Sequence, residues 1–168
     1  ENRIIKVTEE KTKKYLFTRI GNTALNRKAF ADSSFSGKFR INNAVDGNNK
    51  SMWAPAKKNG GQWFFIDFTE PIRIEGIGLK WFGEYVPDEY EVFISNDNKN
   101  YKEINTLKKS DGAEVLLLTL GNYECRYVGC FVNKMGGDNC ALREFEVYSR
   151  IVKFNDENFE EVVRKKIN

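Results

Sequence analysis

The sequence predicts an all-β sandwich, and two observations carry that expectation. From Gln62 onward, short runs rich in β-branched and aromatic side chains follow one another, each bounded by turn residues. Aromatic residues make up 14% of the 168-residue chain, including 13 Phe, 7 Tyr and 3 Trp, which suits strands paired across a sandwich. Strands of this length and spacing usually close as a Greek key or a jelly roll.

The elements follow in order. Ile4-Ile5-Lys6-Val7 reads as an edge strand, trailed by the charged stretch Glu9 to Lys14. Gln62-Trp63-Phe64-Phe65-Ile66-Asp67-Phe68 is a strand bounded by Gly60-Gly61 and Glu70-Pro71. Ile72 to Trp81 is the next, with Gly76 and Gly78 marking a bulge or a close backbone approach. Tyr90 to Ile94 turns at Ser95-Asn96-Asp97-Asn98 into a hairpin partner over Tyr101 to Ile104. After Ser110-Asp111-Gly112 come Glu114 to Leu120, Arg126 to Asn133 and Leu142 to Tyr148, the last two flanking the loop Lys134 to Asn139. Asn155 to Ile167 breaks the pattern and predicts a short amphipathic helix. Asn155 or Asp156 caps it, acids fill its first turn and bases its last, and Phe159, Val162, Val163 and Ile167 form one stripe. That stripe packs on the sandwich or docks a neighbouring domain or protein partner.

Composition excludes much chemistry. With no histidine, the usual zinc sites, the Ser-His-Asp and Cys-His pairs and the commonest neutral-pH base are gone. Nothing singles out two of the 24 acidic residues as a catalytic pair, so the sequence argues against an enzyme. A net charge of +3, with basic residues spread along the chain, argues against a nucleic-acid footprint. The three cysteines, Cys125, Cys130 and Cys140, are too few and too odd in number for a disulfide scaffold, and Cys130 reads as a small core residue. No segment approaches the ~20 apolar residues of a membrane span. The chain begins at Glu1 without an initiator Met or a signal-like segment, as a fragment or processed product would.

The most informative stretch is Asn43-Ala44-Val45-Asp46-Gly47-Asn48-Asn49-Lys50-Ser51-Met52-Trp53. Asp-Gly and Asn-Asn form tight turns, since these residues tolerate positive φ and bond their own backbone. Such a turn also directs carbonyls and a carboxylate inward, as an oxygen-seeking cation requires. Either reading, plain turn or cation loop, is open at this point.

These residues resemble a known family, the discoidin or coagulation factor V/VIII type C domains, which include family 32 carbohydrate-binding modules. Thr23 to Gly37 looks like the family's opening, and Asn43 to Trp53 matches its A-x-D-G-N-x-x-[ST]-x-W signature. Gln62 to Phe68, Tyr90 to Tyr101, Arg126 to Val128 and Arg143 to Tyr148 resemble its later strands, in the family's order. The resemblance implies an eight-stranded jelly-roll β-sandwich over residues 22–150, an N-terminal extension over 1–21 and the helical extension over 151–168. It also implies a structural Ca²⁺ held by the carbonyls of Asn43 and Asn48, the Asp46 carboxylate, Ser51, the Arg143 carbonyl and the Glu144 carboxylate.

Family ligands meet loops at one end of the sandwich, here Ala31 to Lys38, Ala54 to Asn59, Phe82 to Pro87 and Lys134 to Asn139. Tyr85 is the aromatic best placed to stack on a sugar, or else it packs on its own loop. Glu84, Asn59 and Asn139 are candidate hydroxyl partners, and Phe35, with Phe30, is an apolar spike. Lacking clustered basic residues, these spikes do not make a strong case for a membrane surface. Trp53 is expected in the core. The expectation is a non-catalytic adhesion or recognition module of an extracellular or surface protein, binding a glycan. The alternative is a protein-interaction module in a larger assembly.

Overall fold

Two long strands organise the molecule, β4 (Gln62–Trp81) and β7 (Glu114–Lys134), paired antiparallel along nearly their whole length. The computed structural model describes residues 4–8, 17–18, 21–57, 59–149 and 153–154. Other strands in that set are β1 (Ile5–Thr8), β2 (Phe17–Thr18), β3 (Lys28–Ala31), β5 (Glu89–Ser95), β6 (Lys102–Lys108), β8 (Leu142–Tyr148) and β9 (Lys153–Phe154). Register shifts between Asp67 and Ile72 and between Ile74 and Gly76 divide the β4–β7 ladder into two halves. The first half of β4 and the second half of β7 are flanked by β3 on one side and by β5 and β6 on the other. The other halves are flanked by β8 and β1.

These two half-sheets face each other as a jelly-roll β-sandwich, and contacts between the layers show it. Phe64 of β4 meets Phe145 of β8 edge-on at 5.0 Å, and Trp81 meets Tyr90 of β5 at 5.1 Å. Alternation along each strand supplies the filling: Phe64, Ile66, Val128, Cys130, Val132, Tyr90 and Val92 all turn inward and are buried. Trp53 is fully buried, as expected, with its indole N–H donating to the Ser33 carbonyl at 3.0 Å. Cys125, Cys130 and Cys140 are buried free thiols, and burial pushes Cys125 and Cys140 up to about 12. They are core residues rather than reactive ones.

Several expectations are met and some are revised. β1 is the predicted edge strand, so part of the 1–21 stretch joins the sandwich by pairing with β7. β5 and β6 form the predicted hairpin, and Gly78 is a close approach, with a Cβ there lying 2.8 Å from a Glu146 oxygen. The two runs Gln62 to Phe68 and Ile72 to Trp81 are one strand rather than two, and so are Glu114 to Leu120 and Arg126 to Asn133. Pro71 cannot donate to a ladder, but it falls inside the Asp67–Ile72 register shift, where the pairing is already interrupted. β3 lies in the segment recognised only by resemblance. β9 pairs with β2, and the predicted helix, Asn155 to Ile167, lies outside the described residues. Among the described residues no helix is long and apolar enough to cross a membrane.

Candidate functional site

The turn Ile41–Val45 buries Ile41, Ala44 and Val45 and packs against β8, which delivers Asp46 to one edge of that strand. Gly47 then takes φ +74°, the left-handed conformation glycine adopts without strain, and the chain reverses. The Asn48 amide donates to Asp46 Oδ1 at 2.8 Å. Ser51 Oγ lies 3.0 and 2.7 Å from the two Asp46 carboxylate oxygens and 2.8 Å from the Asn48 carbonyl. One hydroxyl proton is thus shared among three acceptor oxygens. The loop closes onto β8 through Trp53 N–H to Leu142 O and Leu142 N–H to Trp53 O, both 2.8 Å.

β8 carries a bulge at the point where it meets this loop. Lys80 pairs with Glu144 and Trp81 with Leu142, which leaves Arg143 as the extra residue. The bulge lets Leu142 and Phe145, three residues apart, both enter the core. Glu144 is buried, and neither of its carboxylate oxygens meets a donor in full hydrogen-bond geometry, although the Gly47 amide lies close enough to favour its charged form. Burial, then the charge of Asp46 and that of Glu146, push its carboxyl up to about 7, and the Gly47 amide and Lys80 only partly oppose this. A buried carboxylate facing a second carboxylate, which has the Ser51 hydroxyl and through it the Asn48 carbonyl beside it, is a donor set that suits a hard divalent cation. Among the described residues no three Asp, Glu or Cys side chains gather as a metal cluster, so carbonyl and hydroxyl oxygens would complete such a shell.

Of the six residues expected as ligands, Asp46, Asn48 and Ser51 are joined in one network and Glu144 faces it electrostatically. The side-chain amide of Asn43 instead holds the loop ends together, donating to the carbonyls of Lys38 at 2.7 Å and Met52 at 3.0 Å. The Arg143 guanidinium turns away to lie 4.5 Å over the Phe82 ring. Only the backbone carbonyls of these two residues are left for the role expected of them.

Beside this loop, a cleft of ≈ 430 Å³ opens between four connections. Phe35 and Phe39 come from the first, Met52 and Ala54 from the second, Phe82 and Tyr85 from the third, and Asn139 to Ala141 from the fourth. Backbone hydrogen bonds cross between them: Phe35 N to Ala54 O at 2.8 Å, Phe82 N to Ala141 O at 2.8 Å, and Ala141 N to Tyr85 O at 3.0 Å. The rim is therefore held in place before any ligand arrives. Tyr85 stacks on Phe82 at 5.8 Å yet stays 43% exposed, so it packs on its own loop and still presents a face. Phe35 is 57% exposed and touches Phe39 edge-on at 6.0 Å.

The cleft brings together Tyr85, Phe35 and Asn139 from the residues expected at the ligand site. Asn139 is partly committed, its side chain accepting from the Cys140 amide at 2.9 Å and donating to the Pro55 carbonyl at 3.3 Å. Glu84 and Asn59 are exposed and do not line the cleft. Phe39, Met52 and Phe82 line it and escaped the sequence reading. Their position in or beside the four loops was legible, but which side of each loop they occupy was not.

Comparison with known proteins gives a consistent picture. The sequence pattern of the F5/8 type C domain matches residues 28–147. Chitosan-binding module 1 of a chitosanase/glucanase from Paenibacillus sp. IK-5 is similar in structure, with a TM-score of 0.70 and 27% identity over 77% of this chain and 99% of that one. Module 2 of the same enzyme, solved with chitotriose, has a TM-score of 0.69 and 26% identity over 76% and 99%. The family 32 module of NanJ from C. perfringens, solved with galactose, shares the fold at a TM-score of 0.65 and 16% identity over 75% and 96%. No curated protein sequence matches the chain.

Proposed function

The chain belongs to the F5/8 type C domain family, and from that premise we propose that it is a non-catalytic module that binds glycans through the cleft between its loops. The observation that carries this reading is the pre-set rim, with the Tyr85 face 43% exposed and backed by Phe82. An aromatic face takes the apolar C–H face of a pyranose, and the spare amide capacity of Asn139 takes a hydroxyl. The chitosan-binding modules, one of them holding chitotriose, support a β-linked amino-sugar chain as the first ligand to try. The absent histidine removes one common galactose-binding group and leaves other sugars open.

Ca²⁺ fits the Asp46 loop and is part of the proposal. Asp46, Asn48, Ser51, Glu144 and the carbonyls of Asn43 and Arg143 would hold it, and it would neutralise the two facing carboxylates. Its role there is to fasten the loop to β8 and so steady the rim next to it. The family likeness also supports placement on an extracellular or surface protein.

The test is a glycan array probed with wild type and Tyr85→Ala. A defined set of glycans retained by wild type and lost by the variant is the expected result. Identical signals, or none for either protein, would remove the cleft from consideration.

A further inference from the structure

The outer face of the half-sheet built by β3, β4, β7, β5 and β6 is aromatic, where a sandwich face turned to solvent is ordinarily polar. Across β4, β7, β5 and β6 one row reads Trp63, Phe131, Glu91, Thr106, and the next reads Phe65, Gly129, Phe93, Glu103. Strands lie ~4.8 Å apart, so each row sets rings and a carboxylate side by side within about 15 Å. Gly129 makes this arrangement possible. A Cβ at that position would fall 2.5 Å from the Phe93 ring and 2.7 Å from the Phe65 Cβ. Without one, the two rings close over the backbone and a groove of ≈ 480 Å³ remains, rimmed by Trp63, Phe131 and Tyr101. Tyr101 is 50% exposed and fixed, its hydroxyl bonded to the side-chain oxygen of Asn98 at 2.7 Å and its ring edge-on to Phe93 at 5.1 Å.

Glu91 and Glu103 line the same groove. Each is held by a neighbour, Glu91 by the Asn133 side-chain amide at 2.6 Å and Glu103 by the Thr106 hydroxyl. Neither forms an ion pair among the described residues. Two basic groups at this face are engaged elsewhere: Arg126 is bidentate to Asp67 at 2.8 and 2.9 Å, and Lys28 lies 5.0 Å over Phe30. The groove thus pairs aromatic faces with fixed carboxylates that stand in no ion pair among the described residues. Both features recognise a cation carried on a body with an apolar face. A pyranose with a protonated amine is such a body: its C–H face stacks and its ammonium reaches the carboxylate.

We infer that this groove is a second glycan-binding surface, selective for a linear chain of amino sugars whose amines are free. The inference rests on the glycan-binding reading above, yet it uses none of the residues of the loop cleft.

The test is calorimetric titration with a β-1,4-linked glucosamine hexamer and with its fully N-acetylated counterpart. Wild type, Glu91→Gln/Glu103→Gln, Tyr101→Ala and Tyr85→Ala are compared, with thermal melts to confirm folding. The expected result is that the glucosamine hexamer loses about tenfold in affinity in the Gln double variant, from two partly exposed charge contacts. Tyr101→Ala should weaken it too, and Tyr85→Ala should leave a binding component that the double variant lacks. The N-acetylated hexamer should not distinguish wild type from the double variant. Loss in Tyr85→Ala alone would overturn the second surface and leave the cleft reading intact. Groove-dependent binding with no effect of Tyr85→Ala on any glycan would uphold this surface and sink the cleft. Polylysine binding that needs Glu91 and Glu103, without hexamer binding, would make the partner a basic polypeptide and overturn the inference.

Discussion

At the scale of single residues, the Asp46 loop carries the sharpest consequence. Asp46 bonds both the Asn48 amide and the Ser51 hydroxyl, so its removal weakens the loop with or without an ion, even though it also relieves the repulsion with Glu144. The informative quantity is therefore the difference between calcium and chelator, not the absolute melting temperature. Wild type should melt higher in calcium, by about 2.7 kcal/mol at a hundredfold excess over Kd, and Asp46→Ala should lose that difference. Glu144→Gln separates the roles further. It removes a buried charge that burial, Asp46 and Glu146 disfavour and keeps the shape, so it should raise stability in chelator while abolishing the response to calcium. A wild type indifferent to calcium would return Asp46 to the part of a turn residue. The Asp46-Gly47 turn and the buried Trp53 were both legible in the sequence, because they depend on local backbone preference and on one large apolar side chain. The burial of Glu144 was not, since it arises only when a distant loop closes over a bulge in β8.

At the scale of elements, the hinge in the long ladder is held by a clip. Asp67 accepts both guanidinium hydrogen bonds of Arg126 across β4 and β7, and the Thr69 amide at 2.7 Å, beside the first register shift. The Arg126 bonds are the largest influence on Asp67 and hold its carboxyl below the usual range, against the opposing effect of burial. A depressed native value gives stability that is complete above the ordinary carboxylate pKa of about 3.9 and is lost as pH falls through the native value. Urea unfolding of wild type and Asp67→Asn should therefore show a constant gap from pH 7 down to about 5, narrowing at lower pH. A gap that ignores pH would mean that shape, not charge, fastens the hinge. This also explains why the strand count was hard to read. Glu70-Pro71 looks like a stop, and in isolation it would be, but the partner strand runs past it. The outer aromatic face was hidden for a related reason. In Trp63-Phe64-Phe65-Ile66 both faces are apolar, so the two-residue alternation that separates inside from outside vanishes.

At the scale of the whole molecule, the stretch from Asn22 to Ser149, which follows β1 and β2, begins and ends in one place. Asn22 bridges to Tyr148, Thr23 N–H donates to Val147 O at 2.7 Å, the Val147 amide bonds the Asn22 side chain at 3.1 Å, and the Thr23 and Ser149 hydroxyls lie 2.7 Å apart. Joining residues 22 and 149 by a short Gly/Ser linker, which leaves out β1, and opening the chain at the exposed Asn98–Asn100 turn should give a permuted protein that still folds and melts in one cooperative step, at a lower temperature for want of the β1–β7 pairing. A permutant lacking that transition, where the unpermuted 22–149 chain keeps it, would show that the β5–β6 turn is needed intact for folding. The same closure has a mechanical meaning. Tension applied between residues 22 and 149 falls first on this small clasp, and the strands between them bear it only once the clasp has parted. The module thus behaves as a pendant with its own fuse: its stem can give way under load while the body of the sandwich keeps its shape.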